Sequence, residues 1–302
     1  MSIHDAMRDA CAAVGIKAPR KTDPGRWIKT PVEGKAASNQ SGRVMLFDDG
    51  CGGICWNWAT GQQQVFSAAG LGERIEAPKR DPERDRQQEA ERREVIATCQ
   101  RIVTACEPAV HPYLVRKGFP DERGLVIDDP RPLMPRGDLG DRLARALPEG
   151  DGPLLIVPGR IGKMLTTVQF ITPEGAKKNI LGGQMGGAAH RIATGAETWV
   201  AEGIATALSV RAALRLLGRP ATVLSAFSAS NVAKVVEGIP AAIIAADHDK
   251  PVEQFSGLGT GEYYARRSGC AWTMPKAPGD FNDWHIADGL RAVALHLREV
   301  RT

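Results

Sequence analysis

The sequence predicts an α/β protein, α+β overall, in which a parallel sheet with flanking helices follows a β-rich section and a small antiparallel module. Three observations predict this order. Short apolar runs alternate with helical patterns over 196–302, as in parallel strands joined by crossover helices. Short strand-like runs divided by turn residues fill 109–195. A region rich in glycine and aromatic residues covers 25–70, which favours tight hairpins.

The composition limits the class of protein. The chain has 302 residues, enough for two or three domains, and 43% of them are hydrophobic, which is ordinary for a protein with a buried core. No run approaches the ~18 apolar residues of a membrane span, and the first residues lack the apolar core of a signal peptide. We therefore expect a cytoplasmic protein without a membrane partner. The net charge is only +4, so any contact with a polyanion must come from local basic clusters.

Residues 1–75 are predicted to form a small β-rich module. An amphipathic helix fits within 1–20, and the short runs that follow favour a small antiparallel sheet. Trp27, Trp56 and Trp58 lie in or beside these runs. They either form the core of the module or stack on exposed bases.

The cysteines do not predict a zinc site. Cys51 and Cys55 are the only close pair among six cysteines, and no second pair or Cys/His cluster lies nearby at zinc spacing. A closed structural site needs four ligands. We expect reduced, mostly buried thiols and no zinc.

Residues 76–108 are predicted to form a charged linker helix. Asp81-Pro82-Glu83 supplies a cap, a first-turn proline and an acid near the positive end of the helix, and Pro108 ends the run. Its charged first half is either a solvated surface or a track for nucleic acid. Apolar residues at helical spacing follow: Val95, Ile96, Cys99, Ile102, Val103 and Cys106.

Residues 109–195 are predicted to form a β-rich section with strands near 151–158 and 163–171. Four basic residues lie on its predicted hairpins: Lys163, Lys177, Lys178 and Arg191. Lysines on turns are often merely solvated. Here they precede a predicted acidic site, and neighbouring glycines would let a phosphate approach closely, so the pattern favours a phosphate-handling surface.

Residues 196–302 show regular strand–helix alternation. Strands are predicted at 198–201, 221–226, 241–246 and 271–274, and helices at 204–217, 231–237, 258–268 and 286–299. Right-handed crossovers would place these strands in one parallel sheet.

Carboxylates follow two of these strands. Glu202 comes after the first, and Asp247 and Asp249 come after the third. The carboxyl ends of parallel strands meet at one edge, where α/β proteins bind ligands. Clustered carboxylates repel one another unless a cation joins them, which predicts Mg²⁺ or Mn²⁺. Asp280 and Asp283 add a third acidic segment. Any one of these acids alone would more often cap a helix.

The order Glu202-Gly203 opening a helix, then Asp247-His-Asp249 at a strand end, resembles the Toprim domain of primases, topoisomerases and certain nucleases. Glu202–Ser209, Asp247–Asp249 and Pro278–Trp284 are similar to phage- and plasmid-type DNA primases. Three segments nearer the amino terminus are also similar to these primases: residues 47–61, His111-Pro-Tyr-Leu and Lys177–Gly183. At the position of residues 47–61, other primases carry a zinc ribbon, whose ligands this sequence lacks.

The resemblance implies a stand-alone primase that makes short RNA primers on single-stranded DNA from NTPs, for a plasmid, phage or other mobile element. Glu202 would be a general base or metal ligand, and Asp247 and Asp249 the metal-binding pair. Asp280, with Asp283, would complete the site. No Gly-x-x-x-x-Gly-Lys-Ser/Thr motif is present, so we expect a separate helicase as a partner.

Two other functions remain open. One is a Toprim nuclease or topoisomerase, although only Tyr113, Tyr263 and Tyr264 could serve as a topoisomerase nucleophile. The other is a nucleic-acid-binding replication accessory without activity.

Overall fold

The computed structural model describes residues 2–36, 38–68, 82–252 and 255–301. The chain divides into two compact units, Met1–Asp85 and Arg86–Thr302. Each unit has its own buried apolar core.

The amino-terminal unit is one helix on a four-stranded antiparallel sheet. Helix α1 (Ile3–Ala13) is capped by Ser2 and buries Met7 and Cys11 against Val44, Cys55 and Phe66 of the sheet. The sheet has the order β1-β2-β3-β4. Its strands are β1 (Ile28–Thr30), β2 (Gly42–Leu46), β3 (Gly52–Asn57) and β4 (Gln63–Ser67). The predicted amphipathic helix and antiparallel hairpins are confirmed.

The three tryptophans do not form the core of this unit, so that alternative was wrong. Trp27, Trp56 and Trp58 are 46%, 36% and 53% exposed. The core is filled by side chains of alternate strand positions, with Phe66 as its largest member. Strand alternation placed Trp56 on the face opposite Cys55.

Cys51 and Cys55 do not share a site. Cys51 is exposed, whereas Cys55 is buried with its Sγ 3.2 Å from the Sγ of buried Cys11. The contact joins α1 to β3 inside the core.

Helix α2 (Pro82–Ala105) carries the predicted apolar stripe, with Val95, Cys99 and Ile102 buried against the sheet that follows. Its charged first half is largely exposed. Asp81, the predicted cap, lies outside the described residues.

The first sheet of the carboxyl-terminal unit is antiparallel, in the order β5-β6-β7-β8-β9. The predicted strands near 151–158 and 163–171 are confirmed. Helix α3 (Pro112–Arg116), a 3-10 turn (Arg131–Leu133) and helix α4 (Asp138–Arg145) lie between its strands. The strands are β5 (Glu107–Val110), β6 (Arg123–Ile127), β7 (Leu154–Ile161), β8 (Met164–Ile171) and β9 (Lys177–Asn179).

The second sheet has the order β10-β12-β11-β13-β14, and the four predicted parallel strands are confirmed. Strand β10 pairs antiparallel with β12 at one edge. The strands are β10 (His190–Ala193), β11 (Glu197–Ala201), β12 (Ala221–Ser225), β13 (Ala242–Ala245) and β14 (Ala271–Thr273). The helices are α5 (Ile204–Leu216), α6 (Ala229–Val236), α7 (Thr260–Arg267), α8 (Phe281–Asp288) and α9 (Leu290–Arg298).

Alternate residues of the parallel strands face different helices. Trp199 and Ile243 pack with side chains of α5 and α9 on one face. Val200 and Ile244 pack with side chains of α6 and α7 on the other face. Both faces are therefore buried, as continuous apolar strands require.

The predicted final helix at 286–299 was wrong in its bounds. The structure has two helices there, because Asp280 caps α8 and Gly289, with φ of +83°, separates α8 from α9. Among the described residues, no helix has both the length and the apolar character that crossing a membrane requires.

Candidate active site at the carboxyl edge of the parallel sheet

Glu202 and Asp247 lie at the same edge of the parallel sheet. Strands β11 and β13 are adjacent, and Ala201 pairs with Ala245 in their register. Glu202 directly follows β11, and Asp247 lies two residues beyond β13. The pKa of Asp247 is raised in part by charge repulsion from Glu202, which reports their proximity. The structure thus brings these two predicted residues together.

Both carboxyl groups are hard to ionise. Burial, with repulsion from Asp249, raises the pKa of Glu202 to about 7, while the Lys177 ammonium opposes the rise. Burial, followed by repulsion from Glu202, Asp280 and Asp249, raises the pKa of Asp247 to about 8. Like charges gathered in a low-dielectric site favour the neutral acid unless a cation compensates them. This edge therefore favours the binding of positive charge near neutral pH.

The carboxylate oxygens of Asp247 are suited to coordinate a cation. Its Oδ1 is buried and has no hydrogen-bond partner, an arrangement that costs free energy. Within the described ranges, no three His, Cys, Asp or Glu side chains are arranged to hold a metal ion by themselves. Mg²⁺ commonly takes one or two carboxylates and completes its shell with water and substrate phosphates. The donors at this edge suit that mode of binding rather than a closed protein cage.

The turn between β12 and α6 positions Glu202, and the sequence analysis missed it. The Phe227 N–H donates to the Glu202 carbonyl oxygen over 2.7 Å, and the Ser225 hydroxyl donates to it over 3.2 Å. The Ala229 N–H, in the first turn of α6, donates to the Glu202 carboxylate and lowers its pKa. Phe227 has a φ of +70°, which is unusual for a bulky residue and marks a constrained turn. Ser228, as a helix cap after a strand, was the available sequence signal.

A glycine pair holds the segment 247–249 in place. The Gly261 N–H donates to Asp249 Oδ2 over 2.8 Å. A Cβ on Gly261 would lie 2.5 Å from the Asp247 carbonyl oxygen, and one on Gly259 would lie 2.6 Å from that of Asp249. Only glycine lets the backbones approach this closely. The Gly-rich start of α7 therefore positions the aspartates.

Asp280 and Asp283 cap helix α8. The Asp280 carboxylate accepts hydrogen bonds from the N–H groups of Asn282 and Asp283, and the Asp283 carboxylate accepts one from the Asp280 N–H. Asp280 also raises the pKa of both Glu202 and Asp247, so its charge reaches the site. The Asp283 side chain is 59% exposed, with one oxygen 3.6 Å from Lys117 Nζ. Its metal role stays a prediction.

His248 joins two acidic segments through its backbone. Its N–H donates to the Gly279 carbonyl oxygen over 2.9 Å, and the Gly279 N–H donates in return over 3.0 Å. Its ring Nδ1 lies 2.9 Å from the Pro275 carbonyl oxygen. These contacts hold residues 279–280 beside Asp247. They give His248 a structural role rather than a catalytic one.

Lys177 is a basic residue of the site. Its charge lowers the pKa of both Glu202 and Asp247. A Cβ on Gly203 would lie 3.8 Å from Lys177 Nζ, and the Nζ is 5.5 Å from the centroid of the Tyr113 ring. Strand β9 therefore brings a cation to the acidic edge from the neighbouring antiparallel sheet.

The other three basic residues lie elsewhere. Lys163 is in the turn between β7 and β8, and Lys178 follows Lys177 on β9 and so points to the opposite face. Arg191 is exposed on β10. Within residues 82–252 and 255–301, none of the three makes an ion pair or hydrogen bond with the site carboxylates. Their phosphate-binding role stays a prediction.

No known family model matches the chain. The solved structures that are similar to it include two primase structures. One is the primase fragment of the bacteriophage T7 primase-helicase protein, with a TM-score of 0.41 and 12% identity over 90% of this chain and 99% of that one. The other is the Aquifex aeolicus primase, comprising its zinc-binding and RNA polymerase domains. It has a TM-score of 0.40 and 10% identity over 99% of this chain and 86% of that one. Both are primases.

Proposed function

We propose that this chain is a DNA primase that makes short RNA primers on single-stranded DNA by metal-dependent nucleotidyl transfer. One observation carries the proposal: at one sheet edge, beside Lys177, the charges of Asp249 and Asp280 raise the pKa of both Glu202 and Asp247. Such an edge suits phosphoryl chemistry, because the charge on the attacking and leaving oxygens must be neutralised. The Toprim-like order of the acids in the sequence supports the same reading.

Mg²⁺ or Mn²⁺ would be held by Asp247, Asp249 and Asp280, with Asp283 at the rim. Glu202 would either join these ligands or act as the general base. When bound, the cations would neutralise charge on the phosphate oxygens of the NTP. Zinc has no part in this proposal.

The chain's own side chains would bind and orient the reactants. Lys177, with an ammonium facing the carboxylates, would hold the triphosphate. Glu202 has a pKa of about 7, which suits a base that accepts the proton of the attacking 3′-hydroxyl. That oxygen would form a bond to the α-phosphorus while the bond to the bridging oxygen breaks and pyrophosphate leaves. The Ala229 N–H, which lowers the pKa of Glu202, would help to orient its carboxylate.

The template and the helicase are proposed partners. Lys163, Lys178 and Arg191 would contact phosphates of the single-stranded DNA template outside the acidic edge. A replicative helicase would supply that strand. Replication of a plasmid, phage or integrated element is the proposed setting.

A primer-synthesis assay tests the proposal. The protein is incubated with single-stranded DNA, labelled NTPs and Mg²⁺ or Mn²⁺, beside Glu202→Gln and Asp247→Asn. We expect metal-dependent oligoribonucleotides from the parent chain and a loss of at least about 100-fold in both variants, since each removes a group of the reacting site. Glu299→Gln, on a side chain that is 72% exposed, is the matched control and should keep full activity.

The other outcomes separate the alternatives. If the parent chain cleaves DNA but makes no primers, and both variants lose the cleavage, the protein is a nuclease rather than a primase. Binding of DNA with neither activity would indicate a replication accessory. Synthesis that survives Asp247→Asn would contradict the assignment of the site.

A further inference from the structure

The sheet of the amino-terminal unit has a face that α1 does not cover. Its side chains form two cross-strand rows set by the strand register. One row is Lys29, Arg43, Trp56 and Gln63, and the other is Met45, Ile54 and Val65. Together with Trp58, which packs beside the first row, these residues are called the tryptophan face.

Aromatic rings dominate this face. The centroids of Trp56 and Trp58 are 5.8 Å apart in an edge-to-face arrangement, and the Arg43 guanidinium lies 3.8 Å from the Trp58 centroid. Trp58 is nevertheless 53% exposed, and Val65 in the second row is 45% exposed. Large apolar groups gathered on an uncovered sheet face indicate a binding surface.

The charge of the face has one sign. Strands β1 to β4 contain two cations, Lys29 and Arg43, and no Asp or Glu. Both cations lie in the row that contains Trp56, so Lys29, Arg43 and the Trp56 indole lie side by side across β1, β2 and β3. A partner that fits must present flat apolar groups together with negative charge.

We propose that the tryptophan face binds a single-stranded polynucleotide, with bases stacked on Trp56 and Trp58 and phosphates near Lys29 and Arg43. Single strands satisfy both requirements, because unpaired bases expose their flat faces along a charged backbone. A duplex hides those faces inside its stack. An apolar protein surface would bury the charges of Lys29 and Arg43 without supplying a compensating negative charge.

This face lies in the amino-terminal unit and needs neither metal nor NTP, so its binding is measured separately from catalysis. It deepens the proposed function by assigning a second contact to the template strand, outside the acidic edge. It also stands if the acidic edge proves inactive.

Fluorescence anisotropy with the full chain tests this inference. The probe is a labelled oligothymidine of about 16 nucleotides, in EDTA and without NTP. We expect Trp58→Ala to weaken binding by about 5- to 150-fold, the measured range for one stacked base, and Trp58→Phe to restore most of it. Lys29→Gln should reduce the slope of log affinity against log salt by about 0.7, the value for one phosphate contact on a single strand.

Controls make each outcome decisive. Leu295→Ala removes an apolar side chain that is 48% exposed on α9, and it should leave binding unchanged. An oligouridine arm distinguishes RNA from DNA, and a blunt duplex should bind weakly.

Binding unchanged by Trp58→Ala, or equal affinity for duplex, would overturn the inference. Altered self-association in sedimentation, with DNA binding intact, would instead assign the face to a protein contact. If Glu202→Gln loses primer synthesis but still binds the oligothymidine, the activity of the acidic edge and the binding by the tryptophan face are shown to be separate properties.

Discussion

Asp247 combines three properties that a surface carboxylate lacks: burial, like-charged neighbours and an oxygen without a hydrogen-bond donor. Each of them disfavours the ionised form in the absence of a cation. Glu202 shares the first two, but Lys177 and the Ala229 N–H partly offset them. The two acids therefore differ: Asp247 is suited to hold a cation, and Glu202 is suited to move a proton.

The stability of the metal-free chain should depend on this carboxyl group. The folded pKa of Asp247, about 8, lies above the ordinary 3.8, so between these values the folded chain keeps a proton that the unfolded chain releases. The contribution of this group to folding stability is therefore fully present below the ordinary pKa of 3.8 and is lost as the pH rises through the folded-state pKa of about 8. We expect Asp247→Asn to remove this fall and to raise the free energy of unfolding by about 1 to 3 kcal/mol at a pH near 8.

Urea denaturation in EDTA across this pH range measures the effect. Mg²⁺ should stabilise the parent chain more at the upper end of the range than at the lower end, and it should stabilise Asp247→Asn little. Profiles of equal slope in the two proteins would contradict the assigned burial of charge.

The sequence predicted the acids better than the bases. Glu202, Asp247 and Asp249 follow apolar strands, and strand ends are readable from a pattern. Which of Lys177 and Lys178 faces the acids depends on how β9 pairs with β8, which no local pattern contains. The positive φ of Phe227 is likewise imposed by packing: its ring would contact a Cβ placed on Gly159.

At the scale of elements, the acidic edge depends on how α7 begins. Gly259 and Gly261 have no side chains, so the backbone of the 247–249 segment packs directly against the backbone of residues 259–261. The observed contact between Gly261 and Asp249 assigns the glycines a positioning role.

Gly261→Ala should reduce primer synthesis by on the order of 100-fold, because a displacement of about 1 Å at a reacting site costs that much. The new Cβ would lie 2.5 Å from the Asp247 carbonyl oxygen, so the aspartate segment must move. Overpacking should also lower stability by about 1 to 3 kcal/mol. Gly238→Ala is the matched control, because a Cβ there meets nothing within 4 Å. Equal activity in both variants, measured by primer synthesis, would refute the positioning role.

The strands and helices of 196–302 were largely predictable because apolar runs and capping residues mark them. The division of the last helix was missed because Asp280, which caps α8, was not used to place the start of a helix. Strands β5 and β6 were not predicted. They are short and include Pro108 and Gly124, which weaken the local strand pattern.

At the scale of the whole molecule, the site combines segments distant in the sequence. The order β12-β11-β13 puts the strand that precedes Glu202 beside the strand that precedes Asp247. The pairing of His248 with Gly279 adds Asp280, and β9 of the other sheet adds Lys177. Strand order and packing between sheets are tertiary properties. The sequence therefore indicated that the acids share one sheet edge, but not which strands are neighbours or that Lys177 reaches the acids.

The central claim is that this assembly binds divalent cations together with a nucleotide. Titration of the full chain with Mn²⁺, followed by electron paramagnetic resonance with and without a non-hydrolysable NTP, tests it most directly. We predict that the nucleotide tightens Mn²⁺ binding and that Asp247→Asn weakens it by at least about 10- to 100-fold. Asp121→Asn, at an exposed position, should bind like the parent chain. Equal Mn²⁺ affinity in Asp247→Asn and the parent chain, or no binding in either, would contradict the claim.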